Sequence, residues 1–205
     1  MVRPLTDGRK AALIINECQI GVIEPGKSGF AGLAKQAQER GIVAKIAALA
    51  EVFRKAGLPV IHTPVAHRTD FADVMPNTLI NALTLKHRTM AIGAPETEYV
   101  EALRPRQEDF VIERTAGLIA FNATALDALL RRMNVETVVL TGVSTNVAMP
   151  GNTMTASDLG YAVVIPEDCI AGSDPETHRT IVENQLRMVA LITTAEDVTK
   201  AVEKR

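Results

Sequence analysis

Three short stretches carry the groups that could do chemistry together. Glu17 follows the run Ala11-Ala12-Leu13-Ile14-Ile15-Asn16, and Arg114 follows Asp109-Phe110-Val111-Ile112-Glu113. The turn Ser144-Thr145-Asn146-Val147-Ala148 follows Thr137-Val138-Val139-Leu140-Thr141-Gly142-Val143. Apolar, β-branched runs of this length read as buried parallel strands, and the carboxyl ends of neighbouring parallel strands converge on one crevice. A carboxyl group there is a candidate general acid or base. A guanidinium can hold it through two parallel hydrogen bonds. The backbone N–H groups of Val147 and Ala148, in the turn before the helix expected near Pro150, can stabilise an oxyanion or hold a substrate carboxylate. Glu17 and Arg114 read equally well as a structural ion pair, and the residues alone leave both readings open.

Other reactive side chains fit less well. Cys18 adjoins Glu17, but neighbouring side chains of a strand face opposite ways, so a crevice-facing Glu17 turns Cys18 into the core. Cys169, at the end of the fifth strand, also reads as core, and two cysteines make neither a disulfide framework nor a metal motif. His62, ending the second strand, is expected to line the crevice and hydrogen-bond a substrate. His67, Asp70 and Asp73 lie close by without the spacing of a ligand set, so no metal is expected. Glu17-Cys18-Gln19-Ile20-Gly21 is not a glycine-rich phosphate loop, and no cofactor is expected.

The elements that must position these groups alternate along the chain. Strands are expected near residues 11–16, 58–63, 109–113, 137–142, 161–165 and 190–193. One helix is expected from about Leu33 to Lys55, where Ile42, Ile46, Leu49 and Phe53 form a stripe ended by Gly57. Further helix starts are read at Pro76-Asn77, at Pro95, at Thr124 with Asp127, near Pro150, at Ser173-Asp174-Pro175, and at Thr194 with Asp197. The expectation is an α/β protein: a three-layer α/β/α arrangement around a six-stranded parallel Rossmann-like sheet with right-handed crossovers, in one domain over 1–205. With 47% hydrophobic and 22% charged residues in 205, the core needs no staples. A net charge of −2 gives no reason to expect nucleic acid or an anionic membrane surface as partner. No apolar run approaches ~18 residues, so a cytoplasmic protein is expected.

The septet Gly142-Val143-Ser144-Thr145-Asn146-Val147-Ala148, with Ala156 and Gly160-Tyr161 downstream, resembles the nucleophile turn of isochorismatase-like hydrolases, the cysteine hydrolase family. The resemblance covers nearly the whole chain. It implies the three-layer fold, a small-molecule substrate, a homo-oligomer, and a cis peptide bond in the tight turn around Val143 and Ser144. In most of the family a cysteine ends the septet and attacks the substrate carbonyl; this chain has Ala148, which cannot be a nucleophile. Glu17 matches the position of the family's strand-one aspartate, two residues before Gln19, and Arg114 is the nearest basic residue to its lysine, although the spacing to Phe121 is one longer. Gln19, Gly117, Ser144 and Val147 are the substrate-binding positions the resemblance implies, beside His62. True isochorismatases also lack the cysteine and are understood to use the aspartate as an acid, a role open to Glu17. The resemblance thus implies a hydrolase working without a covalent thiol, Glu17 and Arg114 being catalytic. Its rival is a catalytically silent member that binds a small molecule or serves as an assembly subunit. A lone engineered Cys-to-Ala replacement would leave the Glu and Arg changes without a reason.

Overall fold

In the computed structural model, which describes residues 2–205, alternation along the first strand divides the core in two. Strand β1 (Ala11–Asn16) sends Ala11, Leu13 and Ile15 to one face and Ala12 and Ile14 to the other, all buried. With β2 (Val60–Thr63), β3 (Phe110–Val111), β4 (Thr137–Val143), β5 (Ala162–Pro166), β6 (Ile170–Ala171) and β7 (Leu191–Thr193) it forms a parallel sheet. The order is β3-β2-β1-β4-β5-β7, with β6 pairing beyond β5 on β4. Helices α3 (Ala31–Glu39), α4 (Ile42–Lys55) and α9 (Ala195–Glu203) cover the face of Leu13; α6 (Leu126–Arg132), α7 (Ala148–Asp158) and α8 (Pro175–Asn184) cover that of Ile14. Short α1 (Arg3–Thr6) and α2 (Ile20–Ile23), with α5 (Leu79–His87), complete the set. None of the helices is long and apolar enough to cross a membrane.

The expected alternation is present, with local corrections. Among the described residues seven strands form rather than six; β6 is two residues long, too short to leave a periodic signal. The single helix expected from Leu33 to Lys55 is two, because Gly41 takes φ +63° and turns the chain between α3 and α4. The third strand shrinks to two half-exposed residues at the sheet edge. Pro95 opens only a 3-10 turn, Pro95–Thr97. Asp174 and Thr194 cap α8 and α9 through the N–H groups of Thr177 and Asp197, as their spacing suggests.

Candidate active site

At the carboxyl end of the sheet the first requirement is that β1 and β4 come close. Gly142 pairs with Asn16 at φ +96°, and a Cβ there would run into the Asn16 backbone carbonyl, so only glycine fits. The buried Asn16 side chain ties four segments together. Its amide donates to the Val143 carbonyl, and its oxygen accepts from the Thr63 hydroxyl (2.9 Å) and the Asn152 amide (3.4 Å). Asn152 in turn accepts the Ala120 N–H at 2.7 Å, fixing the loop after β3 against α7. The Val143–Ser144 peptide is cis.

Glu17 leaves this junction in the left-handed region, φ +51°, a conformation that costs a non-glycine residue about 1 kcal/mol or more. Strand alternation therefore stops at Asn16, and this kink carries the Glu17 side chain to the cavity while Cys18 enters the core. Arg114 is held by its backbone beyond β3: its N–H donates to Pro64 (3.1 Å), and its carbonyl accepts the Ala66 N–H (2.9 Å). Its guanidinium Nη2 pairs with Glu17 Oε1, while Nη1 donates to the Gly117 carbonyl at 2.6 Å. The two-pronged grip suggested by residue type is thus split between a carboxylate and a peptide oxygen. The Arg114 side chain is 1% exposed and that of Glu17 17%, so the pair opens only on the carboxylate side. Burial pulls the Arg114 guanidinium down to about 10, which still leaves it charged at neutral pH.

Glu17 opens into a cavity of about 780 Å³ that Gly117, Ser144, Val147 and Ala148 also line. Apolar walls come from Val22 of α2, Leu33 of α3, Leu83 of α5, Met90 and Leu118. The two N–H groups expected at the turn behave differently. That of Val147 donates to the Ser144 carbonyl at 3.2 Å, closing the turn; that of Ala148, the first residue of α7, has no acceptor among the described residues. The cavity lining therefore includes a carboxylate braced by a guanidinium and, at Ala148, a residue whose N–H is unpaired among the described residues.

Two expected substrate contacts lie elsewhere. His62 does not line the cavity: it is 1% exposed, and its Nε2 lies 3.1 Å from Asp109 Oδ2. Paired in register with Ile15, it shares that residue's face and points toward α4, where Arg54 grips Asp109 with two bonds of 3.0 and 2.6 Å. Burial lowers the His62 pKa, and it would push the Asp109 carboxyl up, but the bonds from Arg54, the Arg106 N–H and His62 hold that carboxyl below its usual range. Gln19 is fully buried and spends its amide on backbone, donating to the Val65 and Thr97 carbonyls (3.0 and 2.9 Å) and accepting the Val65 N–H (2.9 Å). It braces the segment after β2, with no group left for a substrate. Burial pushes the Cys18 thiol up to about 12, further raised by Cys169, which burial likewise takes to about 12. No three of His, Cys, Asp and Glu cluster as a metal site among the described residues.

One cavity residue is, in the sequence, a candidate only for metal binding. His67 lies just beyond β2, is 8% exposed, and lines the cavity with its Nδ1 at 2.6 Å from the Thr115 carbonyl. Its place past the carboxyl end of a parallel strand is the one signal that could have marked it.

Comparison with known proteins agrees with this geometry. The model of the isochorismatase domain matches residues 11–197. An uncharacterised isochorismatase family protein, YecD of Escherichia coli O157:H7, is 28% identical over 199 residues, covering 96% of this chain and 98% of that protein. A maleamate amidohydrolase of Pseudomonas putida is 27% identical over 175 residues, 83% of this chain and 76% of the relative. The crystal structure of an isochorismatase family protein from Desulfovibrio vulgaris superposes with a TM-score of 0.82 at 27% identity, covering 97% of this chain and all of that one. A parallel α/β sheet with its cavity at the carboxyl ends of β1 and β4, matched over nearly its full length, places this chain in the isochorismatase family.

Proposed function

We propose that this family member hydrolyses a small molecule without a covalent thiol intermediate, with Glu17 as the general acid–base and Arg114 as its partner. On this reading Ala148 stands where most relatives carry the attacking cysteine, and its methyl group leaves room for water or substrate. The observation that carries the proposal is the Glu17 carboxylate, braced by buried Arg114 and open to a cavity that Ala148, its N–H unpaired among the described residues, also lines.

The chemistry follows from that arrangement. An ion-paired carboxylate begins the cycle as a proton acceptor, so Glu17 takes a proton from water as the water oxygen bonds to the substrate carbonyl carbon. The Ala148 N–H donates to the oxyanion that forms. As the intermediate collapses, the bond to the leaving nitrogen or oxygen breaks, and Glu17 returns its proton to that atom. Arg114 holds the carboxylate in place throughout. The maleamate amidohydrolase among the relatives makes small amides the first substrates to try.

The test is a panel of small amides, esters and vinyl ethers run on wild type and Glu17→Gln, with melts alongside. Glu17→Gln is expected to lower turnover by roughly 100-fold or more, the usual scale for a lost acid–base group. Turnover undiminished in Glu17→Gln would sink the mechanism. A second reading, a catalytically silent binder, draws on one observation: the Arg114 charge is met within the protein by Glu17 and the Gly117 carbonyl, away from the cavity lining. A wild type inert across the panel, with Glu17→Gln changing stability alone, would favour it.

A further inference from the structure

His67 and His87 both line the cavity that holds Glu17, and the His67 ring has its hydrogen bonding half complete. Its backbone is clamped on both sides: its N–H donates to Met90 (2.7 Å), and its carbonyl accepts the Ile92 N–H (2.8 Å). The ring cannot drift far from the cavity wall. Its Nδ1 faces the Thr115 carbonyl at 2.6 Å. A carbonyl oxygen can only accept, so Nδ1 carries the proton and, in the neutral ring, Nε2 keeps a bare lone pair. Among the described residues nothing bonds to that Nε2. Nor is it sealed in, as the unpaired Nδ1 of His62 is; it belongs to a ring that lines the cavity holding Glu17 and Ala148. The cavity offers an apolar stretch of lining in Val22, Leu33, Leu83, Met90 and Leu118, alongside polar groups such as Asn81, Thr84 and Glu96.

We infer that His67 is a specificity-determining residue, whose Nε2 accepts a hydrogen bond from an N–H or O–H group on a ligand with an apolar body lying along those walls. The inference rests on the reading that this cavity is the substrate site, and it adds what that reading lacks, a criterion for the ligand. Thr115 fixes the tautomer, and through it the polarity of the contact. A ligand of the same shape without a donor leaves the lone pair desolvated and unmatched, which is how a site built for a hydrogen bond rejects an isostere.

A pair of probes without a hydrolysable bond tests this apart from any catalysis: 3-phenylpropan-1-ol, and its methyl ether, which lacks the donor. Dissociation constants by ligand-observed NMR are to be measured on wild type, His67→Asn and His67→Gln, with melts for each. Asparagine reproduces the Nδ1 donor to Thr115 and deletes the Nε2 acceptor; glutamine places an amide oxygen near Nε2. Wild type is expected to favour the alcohol by about fivefold, the scale of one net hydrogen bond. His67→Asn should bind the two within about twofold of each other, and His67→Gln should keep most of the preference. The inference is overturned if a folded His67→Asn keeps the wild-type preference, or if wild type shows none or binds neither probe. Should His67→Asn fail to fold, loss of the preference in a folded His67→Gln overturns it as well. Because neither probe can be hydrolysed, failure here leaves the Glu17 chemistry standing, and an inert Glu17 leaves this contact standing.

Discussion

Removing one partner of the Glu17–Arg114 pair is expected to destabilise the protein unequally, depending on which partner goes. The Arg114 side chain is 1% exposed, and among the described residues its guanidinium bonds only Glu17 and the Gly117 carbonyl, so Glu17→Gln strands a charge that water cannot reach. Stranding a buried charge costs about 3–5 kcal/mol, and the 17% opening at Glu17 places this case near 3. For a chain of 205 residues that corresponds to a melting temperature lower by roughly 6–12 °C. Arg114→Met leaves the carboxylate facing the cavity, where water can solvate it. Its cost should be nearer 2 kcal/mol, about half of it the lost bond to Gly117. The double variant strands neither charge and should cost at least ~1 kcal/mol less than the two singles summed. The chain has no Trp and only two Tyr, so unfolding in urea is best followed by far-UV circular dichroism, with constant m-values checking two-state behaviour. Singles that add to within about 0.5 kcal/mol, or a Glu17→Gln protein that melts with wild type, would refute the buried pair as described.

Thiol chemistry should be silent in the native protein. With both thiols buried and pushed up to about 12, roughly one in 10,000 is thiolate at pH 8, so iodoacetamide should label Cys18 and Cys169 only after unfolding; native labelling of Cys18 in step with lost activity would contradict this. Acid stability should depend on Glu167, whose carboxyl the His178 ring (2.8 Å) and Arg40 (2.6 Å) hold down at about 2. A depressed acid contributes stability that is full above its unfolded value of 4.5 and is lost as pH falls through about 2. Glu167→Gln should therefore flatten the stability profile between those values, and a profile that keeps its wild-type slope would remove Glu167 from the acid response.

Local chemistry made much of this protein legible in its residues. The apolar runs at 11–16 and 137–142 read as buried parallel strands, because a parallel sheet buries both faces of its strands, and both are strands buried along their whole length. Asp174 and Thr194 announced their helices because a cap is an interaction over three residues. Glu17 and Arg114 were expected together because parallel strands deliver their carboxyl ends to one place, and they meet there. What stayed illegible was settled by partners far away in the chain or by single backbone groups. His62 was lost to the site because Asp109, 47 residues on, and Arg54 wait on the other face of β2. Gln19 was lost because the Val65 and Thr97 carbonyls use its amide, and the Val147 N–H because Ser144 closes the turn. His67 emerged for the converse reason, since one carbonyl, that of Thr115, engages one ring nitrogen and leaves the other to the cavity. Periodicity and capping report what a segment does with its own neighbours; which polar atom remains free depends on which distant backbone group arrives beside it, and only the folded chain decides that.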